Sequence, residues 1–186
     1  MYSKHIGIDY GSKLAGTTSI CYKSNNEINL LISNKKQDAD EFITRFLLDN
    51  EIDYVFIDAP LSLPLAYYDK KHSDYFYRKC DKESKAMSPM FLGGLTARAM
   101  RLKNTHSNIE FIETYPKLLA QEIDIMNYKK NKLIFVNSIN EYFNLNLKEP
   151  KTWHEVDSIL AYLSGERYLN NVHHSFGDKN EGIIIF

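Results

Sequence analysis

Apolar residues in this chain gather in short runs, and several of those runs end on an acid. His5-Ile6-Gly7-Ile8-Asp9, Tyr54-Val55-Phe56-Ile57-Asp58 and Ile109-Glu110-Phe111-Ile112-Glu113 each lead straight into a turn signal: Tyr10-Gly11, Ala59-Pro60 and Thr114-Tyr115-Pro116. Runs of this length bounded by Gly or Pro predict buried strands. Residues 17–22 and 27–32 are also β-prone, with Asn25-Asn26 as a turn between them, so the chain is expected to open as a three-stranded antiparallel meander. Helical spacing follows at 38–50, where Phe42, Ile43, Phe46 and Leu47 recur and Asp38 is placed to cap. Pro116 can open a helix carrying Leu118, Leu119 and Ile123. Further helices are expected at 132–143 and 153–168, and 182–186 can close the chain as a strand. The order β-β-β-α-β-(insertion)-β-α-α-β is an α/β arrangement with mixed strand directions.

The connection over residues 66–108 is far longer than a crossover needs, so it carries structure of its own. It holds nine Lys/Arg against four Asp/Glu, whereas the whole chain has a net charge of −1. A basic segment on an acidic body suits either a polyanion or a solvated surface excursion. Tyr75-Phe76-Tyr77 with Arg78, Lys79 and Lys82 interleaves aromatics with cations. Gly93-Gly94 precedes a helix with Arg98 and Arg101 three apart, and its free N–H groups can hold a phosphate. Its Leu95, Ala99 and Leu102 are expected on the body in either case. At 186 residues, with 44% hydrophobic and 25% charged content, the chain reads as a single globular domain, 1–186. Two cysteines make neither a disulfide framework nor a zinc pattern. A strand so close to the amino terminus leaves no room for a secretory segment, and no apolar run nears the ~18 residues of a bilayer span. A cytoplasmic protein without membrane contact is the expectation.

An acid at the last position of a strand is carried to the sheet's C-terminal edge, where open α/β folds place their sites. Asp9, Asp58 and Glu113 all have this placement. Near the start of the final helix, Thr152-Trp153-His154-Glu155 matches a capping box, which commits Glu155 to the backbone. Asp157 has no such duty. Alone it reads as an acid favouring the helix dipole; beside three strand-end acids it reads as a fourth carboxylate of one site. Clustered carboxylates repel unless a cation stands between them. Two divalent ions, Mg²⁺ or Mn²⁺, about 4 Å apart can activate a water and stabilise the leaving oxygen of a phosphodiester. In that scheme Asp9 bridges, Asp58 and Asp157 each hold one ion, and Glu113 binds or orients the water. His154 either moves a proton or is a satisfied surface histidine. Lys13, in the turn after Asp9, touches a phosphate or faces solvent.

The order of acids resembles that of the ribonuclease H-like superfamily, and residues 7–16 are similar to the first-strand motif of its Holliday-junction-resolvase-like branch. Ile57-Asp58-Ala59-Pro60-Leu61-Ser62-Leu63-Pro64 is similar to the signature of an uncharacterised family, domain of unknown function 429, described as predicted ribonuclease H-like nucleases. Arg78-Lys79-Cys80-Asp81, Gly93-Gly94-Leu95-Thr96, Ile112-Glu113-Thr114-Tyr115-Pro116, His154-Glu155-Val156-Asp157-Ser158, and Gly177-Asp178 with Glu181-Gly182-Ile183 resemble its other elements. Ser158 stands where that family more often has Ala. The resemblance implies a mixed five-stranded sheet flanked by helices with a helical insertion between strands four and five. It also implies a metal-dependent nuclease acting on DNA or RNA and a site that includes Arg78 and Asp81, a pair that an ordinary structural ion pair would equally explain. Junction cutting would further call for a homodimer. Two other readings stand beside it. One is an actin-like nucleotide hydrolase or phosphotransferase, against which Tyr-Pro after Glu113 counts. The other is a catalytically silent nucleic-acid-binding module.

Overall fold

A computed structural model describes residues 4–186. Its strands are β1 (His5–Asp9), β2 (Ser19–Ser24), β3 (Glu27–Ile32), β4 (Tyr54–Asp58), β5 (Glu110–Thr114), β6 (Ser175–Asp178) and β7 (Gly182–Ile185). Its α-helices are α1 (Ala39–Asp49), α2 (Lys79–Ser84), α3 (Gly93–Thr105), α4 (Pro116–Ile123), α5 (Lys132–Phe143) and α6 (Trp153–Leu169). The strands form one mixed sheet in the order β3-β2-β1-β4-β5-β7-β6. β1, β4, β5 and β7 run parallel, while β2, and β6 at the far edge, are antiparallel to their neighbours.

The sheet therefore has seven strands rather than the five that the resemblance implies. β7 is the closing strand expected at 182–186, and the strand not expected is β6, which forms a hairpin with β7 where β7 docks on β5. β6 is only Ser-Phe-Gly-Asp, with Gly177 at φ +97°, too short and too irregular to show alternation in sequence.

Strand alternation divides the core. Ile6, Ile8, Val55, Ile57 and Phe111 pack with Ile43 and Leu47 of α1 and with Ala99 and Leu102 of α3. On the other face α6 lies against β1, backed by α4 and α5 through Leu119, Phe135, Ile139, Ile159 and Leu160. α6 comes this close because Gly7 lacks a side chain. A Cβ there would fall 2.1 Å from the Tyr162 backbone nitrogen and 2.4 Å from the Ser158 carbonyl. Ser158 is fully buried at this contact, where its hydroxyl lies 3.0 Å from Ser19 Oγ and donates to the Glu155 carbonyl.

The helix starts follow local chemistry. Asp38 accepts from the Asp40 backbone N–H at 2.9 Å, and Pro116 opens α4. Thr152 and Glu155 form the reciprocal capping box at α6, with Thr152 N–H donating to Glu155 Oε2 at 2.7 Å. Among the described residues no helix is long and apolar enough to cross a membrane.

Candidate acid site at the sheet edge

Asp9 and Asp58 end neighbouring parallel strands and are direct partners in register. Paired residues project from the same face of a sheet, so both carboxylates emerge on the side covered by α6. Asp157, four residues beyond the Trp153 that opens α6, reaches the same place and is only 5% exposed. In β5 the register is different: Glu113 pairs with Ile57, not with Asp58. That one-residue offset turns its side chain to the opposite face.

The three acids of the α6 face are short of positive charge. Burial, then the charges of Asp9, Asp157 and Glu113, pushes the Asp58 carboxyl well above the usual range, with Lys129 opposing. Asp58 keeps some solvent contact, and no donor among the described residues hydrogen-bonds to it. Burial likewise raises Asp157 to about 6, against the opposing charge of Lys129 and with Asp9 adding to the rise. Asp157 Oδ1 accepts from the Tyr128 hydroxyl at 2.8 Å, and its Oδ2 is ion-paired with the Lys129 ammonium. His154 Nδ1 lies 2.7 Å from Asp9 Oδ2, and that hydrogen bond raises the imidazole pKa against the effect of burial.

Three carboxylates, one of them without a donor among the described residues, are a donor set suited to a hard divalent cation. As they stand, no group of three or more His, Cys, Asp or Glu side chains among the described residues is set to hold one. Lys129 and His154 occupy Asp157 and Asp9 instead. Lys129 and Tyr128 are the site residues that sequence reasoning missed. They sit in the α4–α5 connection, which has no periodicity, and nothing local ties them to an acid 28 or 29 residues later.

Glu113, expected to handle the water, is engaged elsewhere. Arg78 donates to it from Nη1 at 2.7 Å and Nη2 at 2.6 Å, and the Leu61 backbone N–H adds a third bond at 3.0 Å. The same guanidinium binds both oxygens of Asp81, at 3.1 and 2.6 Å, and Ser62 Oγ at 2.9 Å. Arg78 is fully buried, so its expected role as a nucleic-acid-facing cation is corrected to that of an internal clamp. It fastens the insertion to β5, because a buried guanidinium must be met by acceptors on every side.

The other expected cations are arranged differently. Lys13 pairs with Asp38 at 3.0 Å and stays half exposed. Lys79 is exposed and within 3.9 Å of Glu83. Arg98 and Arg101 share Asp40, at 2.6 and 2.8 Å. Arg98 also covers the Tyr10 ring and donates to the Gly11 carbonyl at 3.2 Å, which braces the turn after Asp9, whereas Arg101 reaches solvent. A surface cavity of about 960 Å³ around Lys4, His5 and Ile6 opens at the opposite end of β1 and has no part in this arrangement.

No protein-family model matches the sequence, and no curated protein matches it either. Solved structures do. The chain is similar to T. thermophilus RuvC in complex with a Holliday junction substrate, at 12% identity and a TM-score of 0.51 over 92% of this chain and 98% of that one. A second match, a Thermus thermophilus RuvC structure, has 12% identity and a TM-score of 0.47 over 90% and 96% of the two chains. At such identity the first likeness defines the fold and nothing more: a mixed α/β sheet of the ribonuclease H-like fold.

Proposed function

We propose that the chain is a single-domain, metal-dependent nuclease that hydrolyses phosphodiester bonds of nucleic acid at Asp9, Asp58 and Asp157. The observation that carries the reading is the convergence of these three under-compensated carboxylates at the C-terminal edge of a ribonuclease H-like sheet. The motifs around Asp58, Glu113 and Asp157 favour membership of domain of unknown function 429. A pair of Mg²⁺ or Mn²⁺ ions, when bound, supplies an activated water and charge for the leaving oxygen.

The chain's own residues divide the remaining work. Asp9 and Asp58 are pre-set by strand register, and Asp157 by the capped start of α6. His154, held through Nδ1 by Asp9, keeps Nε2 for a proton at the leaving oxygen, and its raised pKa suits it to carry that proton near neutral pH. Arg78 keeps Glu113 turned away and thereby holds the insertion in place. Exposed Lys13, Lys79 and Arg101 provide cations for a phosphate backbone.

The test is cleavage of single-stranded DNA, duplex DNA, RNA, an RNA–DNA hybrid and a four-way junction, with Mg²⁺, Mn²⁺ or chelator. The junction belongs in the panel because the RuvC match is bound to one. Wild type is expected to cut at least one substrate only with metal, and Asp9→Asn none. Metal-dependent turnover of nucleotides with no cleavage of any polymer would replace this reading with the nucleotide-hydrolase one. A homodimer belongs to the junction-cutting version alone, and sedimentation of the active species decides it.

A further inference from the structure

We propose that Lys129 is a tethered cation that occupies the acid site and must swing out before a divalent ion can enter. This rests on the metal-site reading of Asp9, Asp58 and Asp157.

Lys129 and its neighbour Tyr128 together use both oxygens of Asp157: the ammonium pairs with Oδ2 and the hydroxyl donates to Oδ1 at 2.8 Å. Each oxygen keeps a second lone pair, but an ammonium paired with the carboxylate repels a divalent ion bound to the same group. The two cations therefore compete for one carboxylate, and binding of one must weaken the other.

The geometry makes Lys129 the partner that leaves. Its side chain is 44% exposed and that of Asp157 only 7%. The ammonium can turn to water by side-chain rotation, while the carboxylate cannot follow without dragging α6. The backbone is set for aiming the side chain inward. Lys129 has φ +60°, the left-handed region that non-glycine residues rarely adopt. The turn that leads to it is pinned where Asp124 Oδ2 accepts from Asn127 Nδ2 at 2.7 Å and from Ser138 Oγ at 3.1 Å. The ammonium also lies 5.3 Å from the Tyr128 ring centroid and 5.5 Å from that of Trp153, so aromatic faces line its docked position.

Trp153 is the chain's single tryptophan, which gives the docked state its own reporter. Calorimetry with Mg²⁺ on wild type, Lys129→Met and Lys129→Arg, with Trp153 emission followed in the same titrations and no substrate present, tests the proposal. Wild type is expected to bind with a change in emission as the ammonium leaves the indole. Lys129→Met should bind about tenfold more tightly, since one competing positive charge is gone, and its emission should stay flat. Lys129→Arg should remain near wild type. Equal or weaker binding by Lys129→Met would overturn the proposal while leaving the metal site standing. Mg²⁺ binding to wild type without any emission change would do the same, and needs no variant to fold. Absence of Mg²⁺ and Mn²⁺ binding from every form would overturn the metal reading itself.

Discussion

Two groups of buried carboxylates lie near the same sheet edge and are treated in opposite ways. Around Arg78, Glu113 and Asp81 are met by one guanidinium with short bonds to all four of their oxygens, and Ser62 and the Leu61 N–H complete the set. On the α6 face, Asp9, Asp58 and Asp157 share one lysine, one histidine and one tyrosine hydroxyl, and Asp58 has no donor among the described residues. In the first group every carboxylate oxygen has a donor from the one buried guanidinium, which is how a fold holds an insertion in place. The second is short of positive charge, which a fold tolerates where something else is to bind. Acids alone do not mark a site; acids without their counter-charge do.

The contrast predicts its largest effect at Arg78. Arg78→Met strands two buried carboxylates and should cost about 3–5 kcal/mol in urea unfolding, whereas Asp9→Asn should cost little. Equal losses in the two variants would erase the distinction. The next effect is a pH dependence. Asp157 has a folded pKa of about 6 against an ordinary value of 3.8. Between these values the folded state binds more protons than the unfolded one, so stability is highest below the lower value and falls as pH rises through the upper. Without metal, wild type should lose up to about 3 kcal/mol relative to Asp157→Asn between roughly pH 4 and 6. Parallel stability curves for the two proteins would contradict the assignment. Smaller still, Asp58→Asn in chelator at neutral pH should melt roughly 2–4 °C above wild type, because it removes the carboxylate that burial and its neighbours disfavour. A lower melting temperature would mean that Asp58 has a stabilising partner. The smallest effect is at the start of α6. Thr152→Ala should lose about 1 kcal/mol, since the cap that sets this helix beside Asp9 is local and partly replaceable by water.

Much of this molecule was legible in its sequence because the signals are short-range. Strands ending at Asp9 and Asp58, the helix opened by Pro116 and the capping box of Thr152 and Glu155 are each specified by a few adjacent residues. The resemblance to ribonuclease H-like proteins, carried by the order of acids, agrees with the fold that the structural comparison defines. β6 escaped because four residues around a positive-φ glycine carry no period. The Arg78–Asp81 spacing was visible, but spacing does not reveal burial, and burial is what turns a surface cation into a clamp.

By itself, then, the sequence determined most of the strands and helices and that β1 and β4 end on an acid. Tertiary structure decided which acids meet. Pairing Glu113 with Ile57 sends its side chain to Arg78, while pairing Asp9 with Asp58 joins those two on the face where Gly7 admits α6 and Asp157. It also decided that a lysine from a patternless loop stands among them. The reason is physical: side chains alternate along a strand, so a register shift of one residue, set by contacts far apart in the chain, moves a carboxylate from one face of the sheet to the other.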